Sequence, residues 1–264
     1  MVRLMPAPLI EFDRVTVLRD GVTALDRLSL RINDGERVAV LGPNGAGKST
    51  LVDALTRAVY PATGMGPSGL RIYGRDRWDV FELRNLLGIV THTLVRDSTG
   101  PHTALETVLS GFFGSIGVWP HHEVTERMRE EARLALKELE IAHLENVPLR
   151  EMSSGEARRS VIARALVHHP RALVLDEPTV SLDIRGRREL LAAMRRLAQA
   201  GKSLVLVTHT LDDVIGEIDR VVTLRDGRIL HDGPTREVLR PGPLRELFGI
   251  DVQVAERDGA WHMW

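Results

Sequence analysis

The sequence predicts an α/β protein built on a mostly parallel sheet, and three observations point there. Short Val- and Leu-rich runs recur at Val38–Leu41, Gly88–Thr91, Ala172–Asp176 and Ser203–Thr208, each too brief for a buried helix. Stretches with helical spacing lie between them, which is the connection parallel strands require. One of the runs stops at a glycine-rich loop that passes into a helical pattern, a strand-loop-helix sequence.

The elements follow in chain order. Leu9–Val17 and Leu28–Ile32 alternate in part between apolar and polar residues, as half-buried strands of an antiparallel N-terminal β subdomain would. Asn33-Asp34-Gly35 is a turn signal before the buried strand Val38–Leu41, which breaks at Gly42-Pro43-Asn44-Gly45. From Lys48 the chain reads as helix, with Leu51, Ala54, Leu55 and Ala58 on one face. Residues 93–169 lack convincing strands and contain a charged amphipathic helix, Glu123–Leu139, so they are expected to form an inserted helical subdomain. The core would then be 9–92 and 170–240, the two together with the insertion making one domain, 9–240. Val221–Leu224 and Arg228–His231 flank Asp226-Gly227, a hairpin signal. A weaker one, Asp258-Gly259, lies between Val252–Ala255 and Ala260–Trp264, within a small C-terminal β extension at 241–264.

Composition narrows the function. The 264 residues carry a net charge of -1 and no cysteine. Disulfides, thiolate metal sites and a cysteine nucleophile are excluded. The balanced charge advertises no nucleic-acid surface, so no nucleic-acid partner is expected. The basic stretch Arg185, Arg187, Arg188, Arg195 and Arg196 is expected to be a solvated helix face. No apolar run reaches the roughly 20 residues of a membrane-spanning helix, so a membrane role would be borrowed from a partner.

Gly42-Pro43-Asn44-Gly45-Ala46-Gly47-Lys48-Ser49 fits the phosphate-loop pattern, with Thr50 following it into the helix. Its glycines let main-chain N–H groups approach phosphate oxygens, Lys48 reaches the β- and γ-phosphates, and Ser49 offers a hydroxyl to Mg2+. This loop alone leaves ATP, GTP and a phosphoryl-acceptor kinase open. Asp176-Glu177 ends an apolar strand, where ligands of parallel sheets bind. Asp176 is the candidate Mg2+ ligand and Glu177 the candidate base for an attacking water. His209 ends the next apolar strand and is a candidate partner of the γ-phosphate. His121-His122 and His168-His169 read as surface pairs.

With Met152-Ser153-Ser154-Gly155-Glu156, followed by Arg158, Arg159 and Ala163-Arg164-Ala165-Leu166, the sequence resembles the ATP-binding cassette ATPases. The segment looks like their LSGGQ signature, and Asp183 looks like the D-loop aspartate. Phosphate loop, signature, Asp-Glu, Ser-Leu-Asp and Thr-His in that order are specific to this family. The resemblance implies ATP hydrolysis and a head-to-tail dimer of this chain, or of the chain with a homologous subunit, enclosing two Mg-ATP. Each ATP would meet the phosphate loop and Glu177 of one copy and Ser153, Ser154, Gly155 and Glu156 of the other. It also implies a transmembrane permease partner and a cytoplasmic location on the inner face of the membrane. The nearest group is the iron-chelate and molybdate importers. The alternatives are a ribosome- or DNA-associated cassette ATPase and a small-molecule kinase.

The sequence departs from the family pattern at informative places. Glu156 replaces the signature glutamine and brings a negative charge toward the γ-phosphate unless it points away. Thr91-His92 stands where the family has its Q-loop glutamine, which implies His92 as a Mg2+ ligand. The adenine-stacking aromatic is missing, and Arg19, whose guanidinium can stack on a base, lies nearby. Phe112, Phe113 and Trp119 sit within eight residues in a chain that is 4% aromatic, inside the insertion where the family docks its permease. One of the three is expected to be exposed.

Overall fold

The computed structural model describes residues 7–62, 68–79, 82–83, 86–257 and 259–264. Among them the strands are β1 (Ile10–Arg19), β2 (Val22–Ile32), β3 (Arg37–Leu41), β4 (Gly69–Ile72), β5 (Leu87–Val90), β6 (Ala172–Asp176), β7 (Ser203–Thr208), β8 (Arg220–Arg225), β9 (Arg228–Pro234), β10 (Val254–Arg257) and β11 (Ala260–Met263). The helices are α1 (Lys48–Leu55), α2 (His92–Ser98), α3 (Ala104–Phe113), α4 (Glu126–Glu138), α5 (Ser154–Leu166), α6 (Ile184–Gln199), α7 (Thr235–Val238) and α8 (Pro241–Phe248). The chain forms two compact units. One comprises the residues up to Trp78 together with Ser203–Trp264, and the other is Asp79–Lys202.

The first unit holds two main sheets. In one, β1 pairs antiparallel with both β2 and β4, and its Ile10, Phe12, Val15 and Val17 are buried. In the other, β3 lies parallel between β7 and β8, and β9 pairs antiparallel with β8. Val38, Ala39, Val40 and Leu41 are fully buried, which is why β3 reads as a continuous apolar run rather than an alternating one. The β8–β9 turn places Asp226 and Gly227 at φ +50° and +73°, a geometry that an Asp-Gly pair adopts readily. The C-terminal extension opens with α8, whose Pro241 occupies the first turn and whose last turn is closed by Gly249 at φ +73°. The hairpin β10–β11 follows, and Asp258 of its expected turn lies outside the described residues.

The second unit holds β5 and β6, which pair parallel, together with the helices of residues 93–169. Among the described residues of 93–169 there is no strand, only the isolated bridge between Thr103 and Pro148. Close backbone approach packs its helices: a Cβ on Gly111 of α3 would lie 2.7 Å from Arg164 O of α5. Arg164 then reaches back to Ser110 Oγ at 3.1 Å and Ser115 O at 3.0 Å. The histidine pairs are only half at the surface. His122 stacks on Phe113 at 4.1 Å, and His168 meets Phe112 edge-on at 5.2 Å while its Nε2 lies 3.0 Å from Gly111 O. Both rings fill space beside apolar neighbours, which the sequence pairing alone did not reveal.

Candidate functional site

In the first unit the phosphate loop is held from several sides. Gly42 N–H donates to Thr208 O at 3.3 Å where β3 ends beside β7. A side chain at Gly42 would place its Cβ 2.3 Å from Leu224 O, and one at Gly47 would place it 2.5 Å from Ala24 O. Gly47 also sits at φ +103°, a region L side chains rarely enter. Gly227 N–H donates to Ala46 O at 3.0 Å, and Asp26 N–H donates to Gly227 O at 3.0 Å. The β8–β9 turn therefore braces the loop.

Helix α1 begins at Lys48 with Gly47 as its N-cap, and no side chain caps it. Its leading N–H groups and the positive end of the helix favour an anion there. Lys48 is buried, and its Nζ donates to Gly42 O at 2.9 Å and Pro43 O at 3.0 Å, so the ammonium lies across its own loop. Ser49 is exposed, and Thr50 is buried under the helix. Arg19, at the end of β1, pairs with Asp53 of α1 at 2.7 Å.

His209 follows β7 directly, and Thr208 pairs with Leu41 of β3, so the histidine stands at the strand end beside Gly42. The turn that carries it is knotted underneath. Buried Thr208 donates from Oγ1 to Asp213 Oδ2 at 2.7 Å and accepts from Thr210 N–H at 3.2 Å. The C-terminal hairpin rests on the same turn. His262 Nδ1 lies 3.0 Å from Asp212 Oδ1, and Gly216 N–H donates to Gly259 O at 2.8 Å.

In the second unit Asp176 closes β6, largely buried, and Glu177 follows at φ +46°, half-buried. Val180 N–H returns to Glu177 O at 3.3 Å, and Ser181 is again left-handed at φ +64°. Asp183 is the N-cap of α6, its Oδ1 accepting from Gly186 N–H at 2.7 Å. Ile184, next to it, is 90% exposed, an unusual position for a large apolar side chain.

The signature segment opens α5. Ser153 is the N-cap, with Oγ accepting from Glu156 N–H at 3.3 Å and donating to Glu156 Oε2 at 2.7 Å. Glu156 Oε2 also accepts from Ser153 N–H at 2.9 Å, completing a capping box. The Glu156 carboxylate is thus folded back on Ser153, and the Ser153 hydroxyl, more than any other neighbour, holds it below the ordinary carboxylate value. The S-x-x-E spacing was the available signal for this. The start of α5 lies against the start of α6, where a Cβ on Gly155 would meet Gly186 Cα at 2.9 Å. Arg158 and Arg159, both buried, had no role assigned from sequence. Arg159 pairs with Glu189 of α6 at 2.9 Å, and Arg158 donates to the Glu177 turn.

His92 is the first residue of α2 and is exposed, while Thr91 caps that helix by accepting from Leu94 N–H at 3.1 Å. Among the described residues no group of three or more His, Cys, Asp or Glu is arranged to hold a metal ion. No helix among them is long and apolar enough to cross a membrane. Trp119 is 51% exposed, and Phe112 and Phe113 are half-buried under His168 and His122.

The sequence model described as ABC transporter matches residues 25–180. The cobalt import ATP-binding protein CbiO of Rhodobacter capsulatus is 37% identical over 241 residues, 89% of this chain and 84% of that protein. The hemin import ATP-binding protein HmuV of Pseudomonas aeruginosa is 33% identical over 259 residues, 96% of this chain and 98% of that protein. Among solved structures, CbiO1 of Clostridium perfringens, described as part of the ABC transporter complex CbiONQ, superposes with a TM-score of 0.74 at 26% identity, covering 91% of this chain and 94% of that one. A dimeric ATP-binding cassette in a post-hydrolysis state with ADP and Pi superposes at 0.69 and 27% identity, over 85% of this chain and 98% of that one.

Proposed function

The chain belongs to the ABC transporter family of ATP-binding, ATP-hydrolysing cassettes, and from that premise we propose that it energises an importer as a separate subunit, two copies enclosing two Mg-ATP. The observation that supports this most is the phosphate loop. Close backbone contacts exclude side chains at Gly42 and Gly47, and buried Lys48 is held across the loop. A glycine-rich turn without a ligand needs neither a buried ammonium nor an uncapped helix start.

In this reading Gly42, Pro43, Asn44, Gly45, Ala46, Gly47 and Thr50 cradle the phosphates, and Lys48 neutralises developing charge on the γ-phosphoryl group. Glu177 takes the proton of the attacking water and His209 donates to the γ-phosphate. Ser153, Ser154, Gly155 and Glu156 of the second copy close the site, with Asp183 shaping the loop beside them. Arg19, steadied by Asp53, presents a flat guanidinium to the base. The Ser49 hydroxyl and Asp176 carboxylate are the hard oxygen donors that Mg2+ takes beside nucleotide phosphates, with His92 as a further candidate. The ion would polarise the phosphate oxygens during transfer.

The relatives named for cobalt and hemin import support a metal ion or metal chelate as cargo. The chain would then act at the cytoplasmic face of a membrane, against a permease docked near Phe112, Phe113 and Trp119. Exposed Trp119 is the anchor such a groove-and-helix contact needs. Co-purification tests this. Trp119→Ala should lower recovery of the chain with its membrane subunit while leaving ATP hydrolysis by the isolated chain within about twofold. Equal recovery of both proteins would contradict the docking site.

A further inference from the structure

The signature helix reaches the turn that carries Glu177 through one buried side chain. Arg158 of α5 is 4% exposed, and it donates from one terminal nitrogen to Glu177 O at 3.3 Å and from the other to Val180 O at 3.0 Å. The two carbonyls belong to a single turn, closed by Val180 N–H on Glu177 O at 3.3 Å. A guanidinium is suited to this, because its planar fork can bridge two acceptors at fixed spacing. The turn needs such support. Glu177 and Ser181 are both left-handed at φ +46° and +64°, and non-glycine residues keep that conformation when their surroundings over-determine it. Two further ties run alongside. The α5 and α6 starts meet at Gly155 and Gly186, and Arg159 of α5 pairs with Glu189 of α6.

We propose that Arg158 is a positioning residue for ATP hydrolysis. It holds the Glu177 main chain so that the carboxylate faces the attacking water, and it ties that carboxylate to the Ser153 end of the same helix. The inference rests on the assignment of Glu177 as the base and on the two-copy reading. In that reading the Ser153 end of α5 meets the ATP held by the second copy, while Glu177 serves the ATP of its own copy. Arg158 is then the physical link by which occupancy of one ATP site sets the base of the other. Its contribution lies in kcat rather than in ATP affinity, because the contacts it makes are to the base's backbone. A misplacement of about 1 Å costs roughly a hundredfold in rate when geometry supplies the catalysis.

The test uses the full chain with Mg-ATP and compares Arg158→Met, Arg158→Lys, Glu189→Gln and Glu177→Gln by kcat, KM and thermal midpoint. Methionine keeps the buried stem and removes the donors, and lysine keeps the charge with one point-like donor group. Glu189→Gln loosens the neighbouring Arg159 contact and serves as the structural control. The expected result is a kcat lowered by about tenfold or more in Arg158→Met, with KM within about twofold and Arg158→Lys between it and the wild type. Glu189→Gln, at a similar thermal midpoint, should keep kcat within about twofold. An unchanged kcat in Arg158→Met, or an equal loss in Glu189→Gln at matched stability, overturns the proposal. If Arg158→Met does not fold, Arg158→Lys decides: a lowered kcat at constant KM supports the link, and wild-type kinetics reject it. Full turnover in Glu177→Gln would reject the base assignment itself. Loss of turnover there beside normal Arg158→Met kinetics would reject the link alone.

Discussion

Glu156 illustrates how one letter changes meaning with its neighbours. Set against the LSGGQ pattern it is a foreign charge aimed at a phosphate. Set against Ser153, three residues earlier, it is the second half of a capping box, and the structure shows that arrangement. Such a cap is worth about 1 kcal/mol. The Ser153 hydroxyl holds the Glu156 carboxyl below its ordinary value of 4.5, so the stabilisation is present above that value and is lost as pH falls through the lower folded one. Thermal midpoints of wild type and Glu156→Gln should therefore differ at neutral pH, with the wild type higher, and converge in acid. A gap that persists unchanged in acid would count against it. At Gly47 the argument is steric. A Cβ there would lie 2.5 Å from Ala24 O at φ +103°, so Gly47→Ala must move the loop. ATP affinity should fall by about tenfold or more, since left-handed backbone alone costs an alanine about 1–2 kcal/mol. An ATP titration indistinguishable from wild type would show that the loop tolerates the shift.

At the scale of elements, the abutting starts of α5 and α6 join the Ser153 segment to the Asp183 turn within one unit. Gly155→Ala would push a Cβ to 2.9 Å from Gly186 Cα. The phosphate loop lies in the other unit, so binding of ATP to the isolated chain should stay within about twofold while kcat falls about tenfold. Equal kcat in Gly155→Ala and wild type would mean that the contact is incidental. Elements whose periodicity was strong were legible beforehand: the apolar strands, the Asp226-Gly227 hairpin and the charged helix, which starts later than expected because Thr125 caps it. Helix α8 was not legible. Pro241, Gly242 and Pro243 look like chain breakers, yet proline is well placed in a first turn. The role of Arg158 was also hidden, because its partners are main-chain carbonyls that leave no trace in the sequence.

At the scale of the molecule, the order of motifs along the chain was enough to place it in its family, and the family match and relatives agree. The compact second unit runs from Asp79 to Lys202 and includes β5 and β6, which pair with each other while α5 packs on β5. The whole-molecule claim is hydrolysis by a pair of copies sharing two ATP, in which Glu177 activates water and the signature of the facing copy completes each site. The most direct test is Mg-ATP hydrolysis by wild type and Glu177→Gln, with oligomeric state measured in the same samples. The account predicts turnover in the wild type, and in Glu177→Gln a stable ATP-bound dimer with hydrolysis lowered by about a hundredfold or more. A Glu177→Gln protein that hydrolyses ATP at the wild-type rate, or a hydrolysing wild type that stays monomeric with ATP throughout, would contradict it.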